Sequence, residues 1–182
     1  TVQSDIAQKV AGQVHAKISP AERMAIERPP TADLTAFELY GRAKSLIMTW
    51  RFSTTDSSKL LQAADLLNQA LRHDPTFFQA YCQLAWVHDY LYLFRFDRTP
   101  ERLALAQAAV EAAFRLHPTA GEAHLARANH LYCGHLDDNG ALSELDLAGQ
   151  TLPNDSRLFE LKGYVERRRP GGNQEEAVRN LE

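Results

Sequence analysis

The sequence predicts an all-α fold, a right-handed superhelix of antiparallel helix pairs, and three periodic features carry that expectation. Gly41, Ala85, Ala128 and Gly163 are each followed by an alanine further along, at Ala63, Ala106, Ala141 and Ala177. Three of those alanines have a second one seven residues on, at Ala70, Ala113 and Ala148. Five residues beyond these stand Pro75, Pro118 and Pro153. Antiparallel helices approach closely only where a side chain is nearly absent, so small residues at matched heights mark a contact line. Proline, with no amide to donate and a ring that clashes with the preceding turn, then ends the second helix of each pair. Three such triples in register make the unit a repeat.

Along the chain, Val2, Ile6, Val10, Val14 and Ile18 recur every four residues, an amphipathic stripe. Ser19, Pro20 and Glu22 start a second short helix that stops before Pro29 and Pro30. Residues 1–30 therefore read as a separate N-terminal helical segment, and 31–182 as the array. Within the array the pattern places helices near 33–52, 57–73, 77–95, 100–116, 120–136, 139–151, 156–168 and 174–182. Thr76 with Gln79 and Thr119 with Glu122 have capping-box spacing just after a helix-ending proline. Thr99 before Pro100 supplies a cap followed by proline at the first helical position. Asn173 with Glu176 starts the last helix after the breaker Pro170-Gly171-Gly172. That last helix ends after barely two turns, where a solenoid normally closes with a polar cap, so the chain is expected to be truncated at its C-terminus, an excised piece of something longer.

These residues resemble the tetratricopeptide repeat over roughly residues 34–182. The family's first helix carries a bulky residue, a hydrophobic one, Gly or Ala, then an aromatic. Tyr81, Leu84, Ala85 and His88 follow that order, as do Phe37, Tyr40 and Gly41 in part, then His124, Ala128 and Leu131, then Phe159 and Gly163. Arg127 and Lys162 depart from it. Leu67, Val110 and Leu145 supply the large apolar residue between the paired alanines. The family spaces its repeats by about 34 residues. Pro118 to Pro153 spans 35, but Pro75 to Pro118 spans 43, so the first two hairpins are expected to be longer than usual and the array to hold three and a half to four repeats. The order of residues from Ser4 to Leu46 is similar to a junction in large bacterial signalling proteins, where a TolB-like domain is followed by such an array. A cap helix over the first repeat is the alternative.

The resemblance implies a ligand surface on the concave face, lined by the first helix of each repeat. By position it comprises Glu38 and Arg42, then Gln83, Trp86, Asp89 and Tyr90, then Leu125, Asn129 and Tyr132, then Glu160, Tyr164, Arg167 and Arg168. Trp86, Asn129 and Tyr164 form one row, with Arg42 as its fourth member. Such a surface suits an extended peptide or a partner helix, and replacing Trp86 and Tyr164 is expected to abolish binding without unfolding the chain. Relatives that clamp a C-terminal carboxylate use lysines at positions held here by Glu38, Cys82, Leu125 and Glu160, so that mode is not expected. The alternative reading is a regulatory domain that binds a small ligand in the groove and controls an attached cyclase, kinase or DNA-binding domain. A tight pocket with convergent polar groups favours the ligand; an open groove favours the peptide.

The remaining features narrow the function classes. A net charge of −3 gives no argument for binding nucleic acid or anionic lipid. Apolar stretches fall well short of the ~20 residues of a membrane span, and no signal peptide is visible. Cys82 and Cys133 read as unpaired buried thiols, which favours a reducing, cytoplasmic setting. No phosphate loop, nucleophile elbow or HExxH pair is present, so neither an enzyme nor a cofactor is expected. His130 and Cys133, three apart, offer metal-ligand types on one helix face, among His124, His135, Asp137 and Asp138. Packing and capping account for the same residues, and no metal site is expected. Arg167, Arg168 and Arg169 suit a helix C-terminus, where positive charge opposes the dipole. Trp50-Arg51-Phe52 echoes Phe94-Arg95-Phe96 at a distance of 44 residues, and with Tyr90 and Tyr92 forms either extra core between overlong hairpins or an exposed aromatic ridge. Apolar ends at Val2–Ile18 and at Val178 and Leu181 are expected to promote self-association.

Overall fold

A computed structural model describes residues 30–51, 56–169 and 171–181, so the N-terminal stripe and Phe52 lie outside the described residues. The described residues hold helices and no strand. They are α1 (Leu34–Arg51), α2 (Ser58–His73), α3 (Phe78–Leu93), α4 (Pro100–Leu116), α5 (Gly121–His130), α6 (Asp138–Gly149), α7 (Ser156–Arg168) and α8 (Gln174–Leu181), with a π-helix, Leu131–His135, continuing α5. Each helix packs most extensively on its hairpin partner, in the pairs α1–α2, α3–α4, α5–α6 and α7–α8, and next on the adjoining hairpin. The first two hairpins are longer: α1 and α2 have 18 and 16 residues, against 13 and 8 for α7 and α8. Among the described residues no helix is long and apolar enough to cross a membrane.

The contact alanines do what their spacing requires. Ala63, Ala70, Ala106, Ala113, Ala141 and Ala148 are all fully buried, with Leu67, Val110 and Leu145 between them at 1% exposure or less. Beyond each second alanine the backbone closes the same way three times. Asp74, His117 and Leu152 each donate an amide to the carbonyl of Ala70, Ala113 or Ala148 at 2.9 Å, and each immediately precedes the proline. Past the proline, Phe77, Ala120 and Asp155 donate back to the carbonyls of Asp74, His117 and Leu152 at 3.1–3.3 Å. Proline, with no amide to donate, stops the helix, and the carbonyl of the residue just before it is taken up by the turn bond.

Three local expectations are corrected. Gly41 is exposed, and a Cβ built on it would meet nothing within 4 Å among the described residues. The buried stripe of α1 runs instead through Ala36, Leu39, Ala43, Ile47 and Trp50. Ala85, at the corresponding place in α3, is fully buried because α2 of the preceding hairpin packs against α3, whereas α1 has no preceding hairpin among the described residues. Thr76 and Thr119 do not cap. Asp74 accepts both the amide (2.9 Å) and the hydroxyl (2.6 Å) of Thr76, and α3 and α5 start after Phe77 and Ala120 without a side-chain cap. The expected cap at Thr99 is present, accepting from the Arg102 amide at 3.2 Å, and Asn173 accepts from the Glu176 amide at 3.1 Å. Further caps come from aspartates: Asp33, Asp137 and Asp155 accept the amides of Ala36, Gly140 and Arg157 at 2.7, 2.9 and 2.9 Å.

Helix α5 departs from the expected regular helix at its end. The last turn widens to a π-helix, which Leu136 closes in the left-handed region at φ 57°. α3 closes similarly through Arg95 at φ 63°. Each non-glycine residue there costs about 1 kcal/mol or more, which the surrounding hydrogen bonds must offset.

Candidate functional site

The first helices of the four hairpins converge on one cavity of about 270 Å³. The long α1 contributes Trp50 and Arg51 from its last turn; α3 contributes Trp86, Tyr90 and Leu93, followed by Phe94. Asn129 on α5, with Tyr132 and Cys133 on the π-helix, forms another wall, and Arg157, Glu160, Leu161 and Tyr164 on α7 complete it. The aromatic rings are organised around Trp50 and Tyr90. Trp50 stacks on Tyr90 with centroids 5.4 Å apart, and meets Phe94 edge-on at 5.0 Å. Trp86 meets Tyr90 edge-on at 5.6 Å. Trp50 is 2% exposed, and its Nε1 donates to the Asp56 carbonyl at 3.0 Å. Of the echoed aromatic segments, Trp50 is therefore core between the first two hairpins, Phe96 packs half-buried against it, and Phe94 is exposed at 44% while lining the cavity.

Polar groups sit at defined points of this apolar cup. Arg51 and Glu160 form an ion pair, and the Tyr164 hydroxyl donates to the same Glu160 oxygen at 3.1 Å. Arg157 is held by Asp155 through two side-chain bonds of 3.1 and 2.6 Å, and these bonds oppose the burial that would otherwise raise the Asp155 carboxyl, leaving its pKa below the ordinary value. Burial pushes the Tyr90, Tyr132 and Tyr164 phenols up from their usual range, so they are neutral hydrogen-bonding groups. Burial also pushes the Cys133 thiol up, with the nearby Asp89 carboxylate adding to the effect, so it is a poor nucleophile.

Behind the cavity lies a buried polar network. Asp89, fully buried on α3, accepts from Asn129 Nδ2 at 2.9 Å and lies 2.8 Å from His130 Nδ1. Burial raises its carboxyl, opposed by those two partners. Cys133 Sγ donates to Asn129 Oδ1 at 3.5 Å, so the Asn129 carboxamide is oriented from both ends. His130 Nε2 stands 3.2 Å from His135 Nε2. The pairing of His130 with Cys133 suggested by their spacing does not form, and among the described residues no group of three or more His, Cys, Asp or Glu is placed to hold a metal ion.

Of the residues expected at the ligand surface, Trp86, Tyr90, Asn129, Tyr132 and Tyr164 line this cavity. Arg42 does not: it is exposed and lines a separate depression between α1 and α2 with Ser45, Gln62 and Gln69. Its intended place in the row is taken by Trp50 and Arg51, two turns further along, because α1 is longer than an ordinary first helix. Gln83 is half-buried outside the cavity lining. Arg168 is committed elsewhere, its guanidinium 3.8 Å from the centre of the Tyr132 ring and bonded to the Tyr132 carbonyl and Asp138. Arg167 is exposed and lies 5.5 Å from the Tyr164 ring centre. Reasoning by repeat position missed Trp50, Arg51, Leu93, Phe94, Cys133, Arg157 and Leu161; the echo of Trp50-Arg51 in Phe94-Arg95 was the signal pointing to Trp50, Arg51 and Phe94.

No protein-family model matches the chain, and a search of curated proteins finds no match.

Proposed function

We propose that the chain is a protein-interaction module of the tetratricopeptide kind, part of a larger regulator, whose first helices line the inner face of a right-handed superhelix. The cavity anchors one aromatic or branched side chain of an extended partner segment. The supporting observation is that four successive first helices meet around a single aromatic cup of about 270 Å³. That is at the lower edge of cavities that enclose small ligands, about 300–1,000 Å³, and fits one side chain. Such buried anchors dominate the energetics of peptide interfaces.

A second reading, small-ligand sensing, is favoured by one feature: Arg51, Glu160 and the Tyr164 hydroxyl converge at the same edge of the cavity. Selection of random peptides on the immobilised chain separates the two. The interaction reading expects enriched peptides with one apolar anchor, losing roughly thirtyfold or more in affinity, about 2 kcal/mol, on Tyr164→Ala. No enrichment, or enriched peptides indifferent to Tyr132→Ala and Tyr164→Ala, rejects it; saturable quenching of tryptophan emission by a small metabolite would favour the second reading.

A further inference from the structure

Helices α2 and α4 both pack against α3, and the trough left between them has a volume of about 710 Å³. The two run in the same direction. A short connection joins the end of α2 to the start of α3, and the His117 ring beyond α4 meets Phe78, at that same start, with centroids 4.7 Å apart. Ala64, Leu84, Leu105 and Ala109 make the trough apolar, and Leu105 is 50% exposed there. Arg72 and Arg115, in the last turns of α2 and α4, stand together at one end. Asp65 lies about 10 Å back along α2. Arg102 is neutralised by Asp97 at 2.6 Å, whereas Arg72, Arg115 and Asp65 have no ion pair among the described residues.

Helix α8 complements this trough in length, polarity and charge. Its 8 residues span about 12 Å, the same as the stretch of α2 from Ala64 to Arg72. One face, at the buried Ala177, packs on α7. On the rest of the helix Leu181, Val178 and Glu175 fall within about 120° of one another. Val178 is 53% and Leu181 41% exposed. Glu175 and, one turn on, Arg179 are exposed and have no ion pair among the described residues.

We propose that α8 of a second copy docks in the trough between α2 and α4, antiparallel to both. Glu175 then sits between Arg72 and Arg115, Arg179 reaches Asp65, and Val178 and Leu181 cover Leu84 and Leu105. The N-terminus of α8 meets the C-termini of α2 and α4, the favourable sense for helix dipoles. Each copy offers one helix and one trough, so a two-fold dimer makes the contact twice. A two-turn helix supplies little area against the roughly 1,200–2,000 Å² of stable interfaces, so association is expected near about 0.1 mM. On α3 the trough uses Tyr81, Leu84 and His88, and the aromatic cavity uses Trp86, Tyr90 and Leu93 on the opposite face, so the proposal is independent of what the cavity binds.

Sedimentation equilibrium of the chain from about 10 μM to 1 mM tests this. The expected result is association that weakens at high salt and falls at least about tenfold in Arg72→Glu/Arg115→Glu and in Glu175→Arg. All three positions are exposed, so both variants keep the helical circular dichroism of the parent. The reversed trough of the first variant and the reversed helix of the second are complementary, so an equimolar mixture of the two should associate where neither does alone. A chain that stays monomeric to 1 mM, or a mixture no more associated than its parts, overturns the proposal. So does association that both variants keep and Phe37→Asp abolishes, which would place the contact on the exposed face of α1.

Discussion

Arg51 and Glu160, 109 residues apart, form an ion pair that joins the end of the first helix to the first helix of the fourth hairpin. Helix-repeat arrays are held mainly by contacts between neighbouring units, and this pair reaches past two of them to the edge of the aromatic cavity. The side chains are about one-third exposed, so the pair's effect is on access to the cavity more than on stability.

Arg51→Ala is expected to change unfolding free energy by less than about 1 kcal/mol. It should nevertheless open the cavity. The chain has two tryptophans, Trp50 and Trp86, and both line the cavity. Acrylamide quenching of tryptophan emission should therefore rise in Arg51→Ala and in Glu160→Gln; quenching equal to the parent's would show that the pair does not restrict access.

Two glycines at the same repeat position should respond in opposite directions. Gly41 lies on an exposed helical face with open space around it among the described residues, so Gly41→Ala should stabilise by about 0.5–1 kcal/mol through helix propensity. A Cβ on Gly163 would lie 2.6 Å from Leu181 Cγ and 3.1 Å from the Ala177 carbonyl oxygen. Gly163→Ala should push α8 off α7 and lower hydrogen-exchange protection of the α8 amides, by an overpacking cost of about 1–3 kcal/mol.

Trp50→Ala should cost about 3–5 kcal/mol in denaturant unfolding, since the ring is 2% exposed and packs on Tyr90 and Phe94. Trp86, at 7% exposure, is expected to lose stability similarly in the same denaturant experiment. Tyr164, half-buried, is the sounder probe of binding.

His88 predicts a pH window. It is 4% exposed, and its Nδ1 accepts from Arg102 at 3.0 Å, since a guanidinium has no acceptor to offer. Burial, reinforced by the Arg102 charge, pushes its pKa down to about 4. Between about pH 6.5 and 4 the unfolded chain binds a proton that the folded chain does not, so stability falls on acidification by up to ~1.4 kcal/mol per pH unit and is constant in this respect above 6.5. His88→Gln keeps an acceptor for Arg102 and removes the titration. Denaturation curves between pH 7 and about 4.5 should therefore be flatter in the variant than in the parent; parallel curves would remove His88 from the account.

How much of this was legible in sequence divides along a physical line. The alanine and proline spacing specified the hairpins because contact lines and helix stops depend on the chain's own periodicity, and Ala63, Ala106 and Ala141 are fully buried accordingly. Capping was half legible: Thr99 and Asn173 cap, but Asp74 captures Thr76 through the shorter local turn. Gly41 could not be placed from repeat position, since that position is buried only where another hairpin covers it. Five of the nine proposed binding residues reached the cavity; Arg42, Gln83, Arg167 and Arg168 did not, because the extended α1 substitutes its last turn and Tyr132 and Tyr164 draw the two arginines onto their rings. The π-helix left no signal in hydrophobic periodicity.

That π-helix also sets how the chain tolerates changes in length. A π turn holds one residue more than an α turn, so deleting a single residue from Leu131–His135 would restore α spacing and swing His135 roughly 100° around the helix axis, away from His130. Tyr132 and Cys133 lie in the same five residues and line the cavity, so the deletion would also rearrange the wall they form with Asn129. Chains of this kind can thus acquire or lose the histidine pair by one codon's insertion or deletion, with no substitution, and the lineage of the pair would be read from gap positions in aligned relatives instead of from residue identities.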